Sequence, residues 1–390
     1  MVQPDKDMLA PGSILPWDIV DSSGRILLPK GVPINDAVQA KQLWTRGYFH
    51  EPDSEPEPPP KIVVSSWRTK PRDQETAPPR FFQAVTRLSW QLEETYCDLL
   101  NGRPGRITER LSEYAKALQT QIAKDSDAFL ASVELSEIGR YGTIHAIHSA
   151  ILCDLVAQSM GMTSDQRRTL VCAALTRDVG FLELQEELDL QNEPLTSEQQ
   201  SMVQGHPLES AKLLREAGVK DPDWLAAVEQ HHERLNGTGY PKSLPHDQIC
   251  ASARLMGIAD AYSAMTKPRA YRAAIQGPTA IHSIFQTRGS LVDGDLTQQF
   301  IRVLGMYPPG ILVRLSTKEM AVVTRRTANL KFPEVKVVAD AEGKLQAIYA
   351  ARELAEGGVS IQEILPRSIN IRSRLNHRQL WGEGSAALRR

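Results

Sequence analysis

The chain has 390 residues, of which 41% are hydrophobic and 24% charged, and its net charge is −2. This is the composition of an ordinary globular protein, long enough for two or three domains and a sizeable core. The near-zero charge excludes a general nucleic-acid binder or a membrane-surface protein.

Residues 1–50 predict a small α+β unit. Ile14-Leu15 and Asp18-Ile19-Val20 precede a turn at Asp21-Ser22-Ser23-Gly24, and Arg25-Ile26-Leu27-Leu28 completes a hairpin. Pro33 to Arg46 carries Ile34, Val38 and Leu43 at helical spacing, with Gly47 as the stop. Residues 51–80 are rich in proline and charge, which predicts a semi-rigid or disordered linker.

From residue 81 to 304 the pattern is helical. Leu88, Leu92 and Tyr96 recur every four residues, and Asn101-Gly102-Arg103-Pro104-Gly105 breaks that run. Further helices are predicted over Ser136 to Met160, Ser164 to Arg177, Thr196 to Ala217 and Ser252 to Met265. Thr196 and Asp223 serve as start signals. After Tyr307-Pro308-Pro309-Gly310 the period falls to two, which predicts a β-rich appendage over 305–375. Its strands are expected over residues 311–315, 320–323 and 335–338. The segment 376–390 reads as a frayed, flexible tail.

The most apolar helical run, Ile144 to Val156, is interrupted by His145, His148 and Asp154, so it is too polar to span a bilayer. Cys97, Cys153, Cys172 and Cys250 lack CxxC spacing, which points to reduced thiols in a cytoplasm. Met1 to Asp7 shows no basic-then-apolar leader pattern.

Six of the nine histidines fall between positions 145 and 246. His145 and His148 share a helix face, His206-Pro207 lies in a later helix, and His231-His232 closes another. Asp260 sits mid-helix among apolar residues, where burial is costly without a partner or a metal. Inward-pointing His and Asp from several helices are a way to build a metal site in a bundle core. Mixed His and carboxylate donors suit iron, manganese or zinc better than magnesium or calcium.

The run His231-His232-Glu233-Arg234-Leu235-Asn236-Gly237-Thr238-Gly239-Tyr240-Pro241 carries the sharpest signal. It resembles the HHE–GYP signature of the HD-GYP family, which hydrolyses the bacterial second messenger cyclic di-GMP. The resemblance covers roughly residues 135–300 and implies a mainly α fold. The expected architecture is an HD-type helical bundle flanked by the small N-terminal α+β unit and the small C-terminal β appendage.

Carried over residue by residue, the resemblance implies a metal set of His145, Asp178, His206, His231, His232 and Asp260, with Asp178 bridging. It implies ligand contacts at Gly239, Tyr240, Pro241, Arg269 and Arg272. Two positions depart from the pattern: Arg177 replaces the HD histidine and Phe181 the HD-x-G-K lysine. A guanidinium stays protonated, cannot ligate a metal and repels a dication. It is suited to pairing with Asp178 and Asp260 in the metal's place. The expected cofactor is therefore a divalent transition metal, iron or manganese first, at one ion per chain in preference to two.

The resulting expectation is a cyclic di-GMP signalling protein with a degenerate HD-GYP domain, binding ligand or partner with little or no hydrolysis. An active metal-dependent phosphodiesterase producing pGpG or GMP is the alternative, and a non-catalytic structural scaffold the third. Expected partners are cyclic di-GMP, a diguanylate-cyclase-type protein or other signalling partner, and a second copy of the chain as a homodimer.

Overall fold

A computed structural model describes residues 83–103, 105–135, 139–268, 274–366 and 374–382, with 9–10, 13, 15, 19–21, 26–28, 34, 36–46 and 48. The chain divides into two compact units, Met1–Val63 and Val64–Arg390. The helical region and the β appendage both fall within the second.

In the first unit, strands β1 (Ile19–Val20) and β2 (Ile26–Leu28) pair antiparallel, with Ile19 opposite Leu28. Helix α1 (Ala37–Arg46) starts where Asp36 accepts the backbone N–H groups of Val38 and Gln39, each at 2.8 Å. Leu9, Leu15, Ile19, Leu28, Ile34 and Leu43 form the core. Val38 is not part of it. The side chain is 67% exposed, because Ala40 and Leu43 supply the inward stripe. The expected hairpin turn at 22–24 and the linker at 51–80 lie outside the described residues.

The second unit is mainly α, as expected. Its helices are α2 (Gln83–Leu100), α3 (Ile107–Lys124), α4 (Ser126–Leu135), α5 (Tyr141–Ser159), α6 (Ser164–Thr176), α7 (Leu182–Leu190), α8 (Ser197–Glu216), α9 (Pro222–Gln230), α10 (Ala251–Met265), α11 (Gly277–Gln286) and α12 (Gly294–Leu304). Helix α5 is buried without a break from Gly142 to Ala157. A helix apolar on every side belongs at the centre of a bundle, and α5 packs against α2, α4, α6 and α10. Capping boxes start α6 (Thr163 with Gln166) and α8 (Thr196 with Gln199). Helix α9 begins at Asp221 with Pro222 in its first turn, two residues before the expected start signal.

Strands β3 (Leu312–Leu315), β4 (Met320–Arg325), β5 (Glu334–Ala339), β6 (Leu345–Arg352) and β7 (Ile361–Ile364) form an antiparallel sheet in the order β6-β5-β4-β3-β7. Arg325 and Arg326 at the end of β4 clamp the sheet to the bundle. Arg325 pairs with Asp125, and Arg326 with Asp127 and the Val303 carbonyl. The frayed tail expected from Asn376 needs correction. Helix α13 (His377–Trp381) follows it, Leu380 and Trp381 are buried, and the Trp381 indole donates to the Thr324 carbonyl at 2.9 Å. Large apolar side chains at 380 and 381 give this segment a reason to dock.

None of the four cysteines is in a disulfide. Among the described residues no helix is long and apolar enough to cross a membrane.

Candidate metal centre

Three helices and the ends of two others bring the predicted histidines and aspartates together. His145 comes from α5, His206 from α8, His231 and His232 from the end of α9, and Asp260 from α10. Asp178 follows α6 directly. One donor atom from each of Asp178, His206, His231 and His232 lies within 4.8 Å of the others. Gly257 allows α10 to approach. A Cβ there would stand 2.8 Å from the His231 carbonyl oxygen.

Two of these imidazoles are fixed by the same device. His206 Nδ1 lies 2.6 Å from the Val203 carbonyl and His231 Nδ1 lies 2.7 Å from that of Val228. A carbonyl only accepts, so Nδ1 carries the proton and Nε2 presents a lone pair. Both carbonyls are spare because the helix is interrupted. Val203 O would normally receive the N–H of residue 207, but Pro207 has none. Val228 O belongs to the last turn of α9, whose carbonyls lack helical donors. The two Nε2 atoms then face each other at 3.4 Å, and lie 3.3 and 3.5 Å from Asp178 Oδ1. Converging lone pairs and a carboxylate oxygen repel one another unless a cation sits among them. This donor set fits a divalent transition metal.

His145, Asp178 and Asp260 also place donor atoms within 4.8 Å, yet that trio does not fit an ion. Its acceptors already hold protons. Arg177 is wholly buried. Its Nη2 lies 2.8 Å from Asp260 Oδ1 and 3.1 Å from Asp178 Oδ2, and its Nε lies 3.2 Å from Asp260 Oδ1. Nη1 donates to the Ala174 carbonyl at 2.8 Å. His145 Nε2 makes a further 2.8 Å bond to Asp260 Oδ1, and Ser263 meets its Nδ1 at 3.0 Å. A fixed guanidinium thus stands between the two carboxylates. Asp178 is divided, one oxygen toward Arg177 and the other toward the histidine pair.

The electrostatics follow from these contacts. Burial acts to raise the Asp178 and Asp260 carboxyls, but Arg177 and the neighbouring histidines together outweigh it and hold both well below the usual carboxylate range. Burial lowers His145, helped by Arg177 and opposed by Asp260. Burial also takes His232 well below its ordinary value, with repulsion from His231 adding to it.

Phe181, between α6 and α7, stacks on His206 with ring centroids 4.9 Å apart and planes 28° apart. Tyr240 lies 4.6 Å from His232. At Gly239 the need for glycine is steric rather than conformational. Its φ is not in the left-handed region, whereas Gly237 has φ 73°. What Gly239 avoids is a clash: a Cβ would lie 2.3 Å from Arg234 N and 2.5 Å from Glu233 Cα. The Tyr240-Pro241 peptide is cis. Glu233, which carried no expected role, closes this loop by accepting Lys242 N at 2.7 Å and Leu244 N at 2.9 Å. Arg269 and Arg272 lie outside the described residues.

A cavity of about 560 Å³ opens beside the cluster, within the size range of small-molecule sites. His145, Asp178, His206, His232 and Asp260 line it. Arg177 does not, and among the described residues the lining holds no lysine or arginine. The connection between α7 and α8 supplies another part of the wall, which carried no motif in the sequence.

Comparison with known proteins places this geometry. The chain is 26% identical over 252 residues to a cyclic di-GMP phosphodiesterase of Pseudomonas aeruginosa, covering 64% of this chain and 61% of that protein. It is 29% identical over 133 residues to 3'3'-cGAMP-specific phosphodiesterase 1 of Vibrio cholerae, covering 34% and 30%. Neither relative is spanned over two thirds of its length. A solved structure of an HDG"Y"P protein from Bdellovibrio bacteriovorus aligns at 16% identity and TM-score 0.46, covering 76% of this chain and 97% of that one. Residues 91–296, over half the chain, match the HD domain family. With the His231-to-Pro241 signature inside that span, the chain belongs to the HD domain family, of the HD-GYP type.

Proposed function

We propose that the chain binds cyclic di-GMP in the cavity beside a single metal ion and hydrolyses it slowly or not at all. Asp178, His206, His231 and His232 would hold the ion. The observation that carries this reading is the position of Arg177, wholly buried and bonded to both Asp178 and Asp260.

A bound transition metal polarises a phosphoryl oxygen and acidifies a bound water, and a pair of ions clamps both the attacking and leaving oxygens. With one ion and one guanidinium the site carries one positive charge fewer than two dications would supply. Arg177 does not line the cavity, so its charge reaches a ligand only through the two carboxylates. Phe181 adds no cation where the family pattern has lysine. Losing transition-state contacts of this kind costs about 10²–10³ in rate for each. His206 and His231 keep their lone pairs aimed at the ion position, His232 remains neutral, and Tyr240 completes the wall.

The intact four-donor set supports a second reading, an active phosphodiesterase working on one ion. Calorimetric titration of metal-loaded protein with cyclic di-GMP, with chromatography for pGpG and GMP on the same sample, separates the two. Binding without accumulated product over hours is expected. Turnover at an ordinary enzymatic rate, about 1–10³ s⁻¹, would contradict the proposal. Absence of binding would leave the scaffold.

A further inference from the structure

The cavity wall between α7 and α8 is built with an economy unusual for an exposed connection. Gln191, Asn192, Glu193, Pro194 and Leu195 all line the cavity. Gln191 braces this stretch, its amide nitrogen lying 3.1 Å from the Glu193 carbonyl and 3.2 Å from that of Pro194. Gln199 on α8 holds Gln191 in turn, donating to its Oε1 at 2.8 Å. The capping box with Thr196 fixes Gln199 itself. The backbone of Glu193 is therefore held by a chain of side-chain amides anchored on a helix.

The Glu193 carboxylate, by contrast, makes no hydrogen bond or ion pair with any described residue, and the residue is exposed at the cavity. A braced backbone that places a glutamate with no described side-chain partner at a cavity is preorganised to offer its carboxylate to donors of a ligand. No lysine or arginine among the described lining residues competes for it. Phe181 and Tyr240 bring aromatic rings to the same cavity, where bases can stack.

We propose that Glu193 reads the nucleobase, selecting guanine over adenine through the Watson–Crick edge. This rests on the cavity being a cyclic-dinucleotide site. Guanine offers two parallel donors, N1–H and N2–H, which match the two oxygens of a carboxylate. Adenine offers an acceptor at N1 beside a donor at N6, so one oxygen of Glu193 would face a lone pair. Sites that hydrogen-bond a polar edge reject the mismatched analogue strongly. The choice of base matters in this family, since the relatives include proteins named for cyclic di-GMP and for 3'3'-cGAMP.

The test is calorimetric titration of the full metal-loaded chain with cyclic di-GMP, 3'3'-cGAMP and cyclic di-AMP. The parent is expected to bind in that order of decreasing affinity. Glu193→Ala should weaken cyclic di-GMP about tenfold or more without weakening cyclic di-AMP. Glu193→Gln presents one acceptor and one donor, which match adenine, so cyclic di-AMP should gain affinity. A merely structural glutamate predicts no such gain. If the parent binds and both variants keep its ranking, the role of Glu193 is overturned while the cavity assignment stands. If the parent binds none of the three, the cavity assignment falls and the role of Glu193 falls with it.

Discussion

Arg177 and Asp260 form a buried pair in which Nε and Nη2 of the guanidinium approach the same carboxylate oxygen, at 3.2 and 2.8 Å. The oxygen also receives His145. An acceptor so engaged has little capacity left for a metal. The same Nη2 reaches Asp178, so one side chain bridges both carboxylates and offsets one of their two negative charges.

Removing this cation should be costly in metal-free protein. Arg177→Met leaves the Asp178 and Asp260 carboxylates without a cationic partner, a loss of about 3–5 kcal/mol. Urea unfolding after chelation measures it, and manganese should restore part of the loss to the variant. Equal stability of parent and variant without metal would show that Arg177 is not the counter-ion.

Restoring the family pattern should restore chemistry. Arg177→His with Phe181→Lys supplies a neutral donor and a cation near the ligand, and removes the ring stacked on His206. Hydrolysis of cyclic di-GMP is expected to rise at least a hundredfold, on the scale of one transition-state contact. A folded double variant that binds two ions and gains nothing would show that these positions do not limit turnover.

The Gly239 loop should fail by collision. Gly239→Val places carbon atoms inside the backbone of Glu233 and Arg234, displacing Tyr240 from His232. Calorimetry should show cyclic di-GMP binding weakened at least tenfold, with the circular dichroism of the bundle unchanged. Unaltered affinity would separate the loop from recognition.

Glu233 offers a milder probe of the same loop. Glu233→Ala leaves the N–H groups of Lys242 and Leu244 without their charged acceptor. The change should cost about 1–3 kcal/mol. Hydrogen exchange at residues 240–244 should accelerate in the variant. Exchange equal to the parent's would mean that the carboxylate does not hold the loop.

Much of this was legible in the residues. The long, largely apolar stretch of α5 announces a central helix, and the Thr163 and Thr196 boxes mark two helix starts through hydrogen bonds local to the chain. His206-Pro207 announces a histidine anchored by a spare carbonyl, because proline lacks the N–H that would otherwise take the Val203 carbonyl four residues earlier. Other features depend on three-dimensional neighbours. Val38 matched the helical spacing but faces solvent, since only packing decides which stripe turns inward. Strand β6 is largely exposed, so it lacks the buried apolar residues that mark β3 to β5. The crowding at Gly239 arises from a backbone five residues away, and neither composition nor period reports it. The wall around Glu193 has no motif, because its order comes from side-chain amides rather than from a helix or strand.

Metal content per chain tests the central claim most directly. Protein loaded with excess manganese or iron, desalted and quantified by mass spectrometry, should carry one ion per chain. That ion should be lost when His231 is replaced by Ala and retained when His145 is. Two stoichiometric ions in the parent, one of them dependent on His145 and Asp260, would contradict the assignment of Arg177 to the place of the second ion.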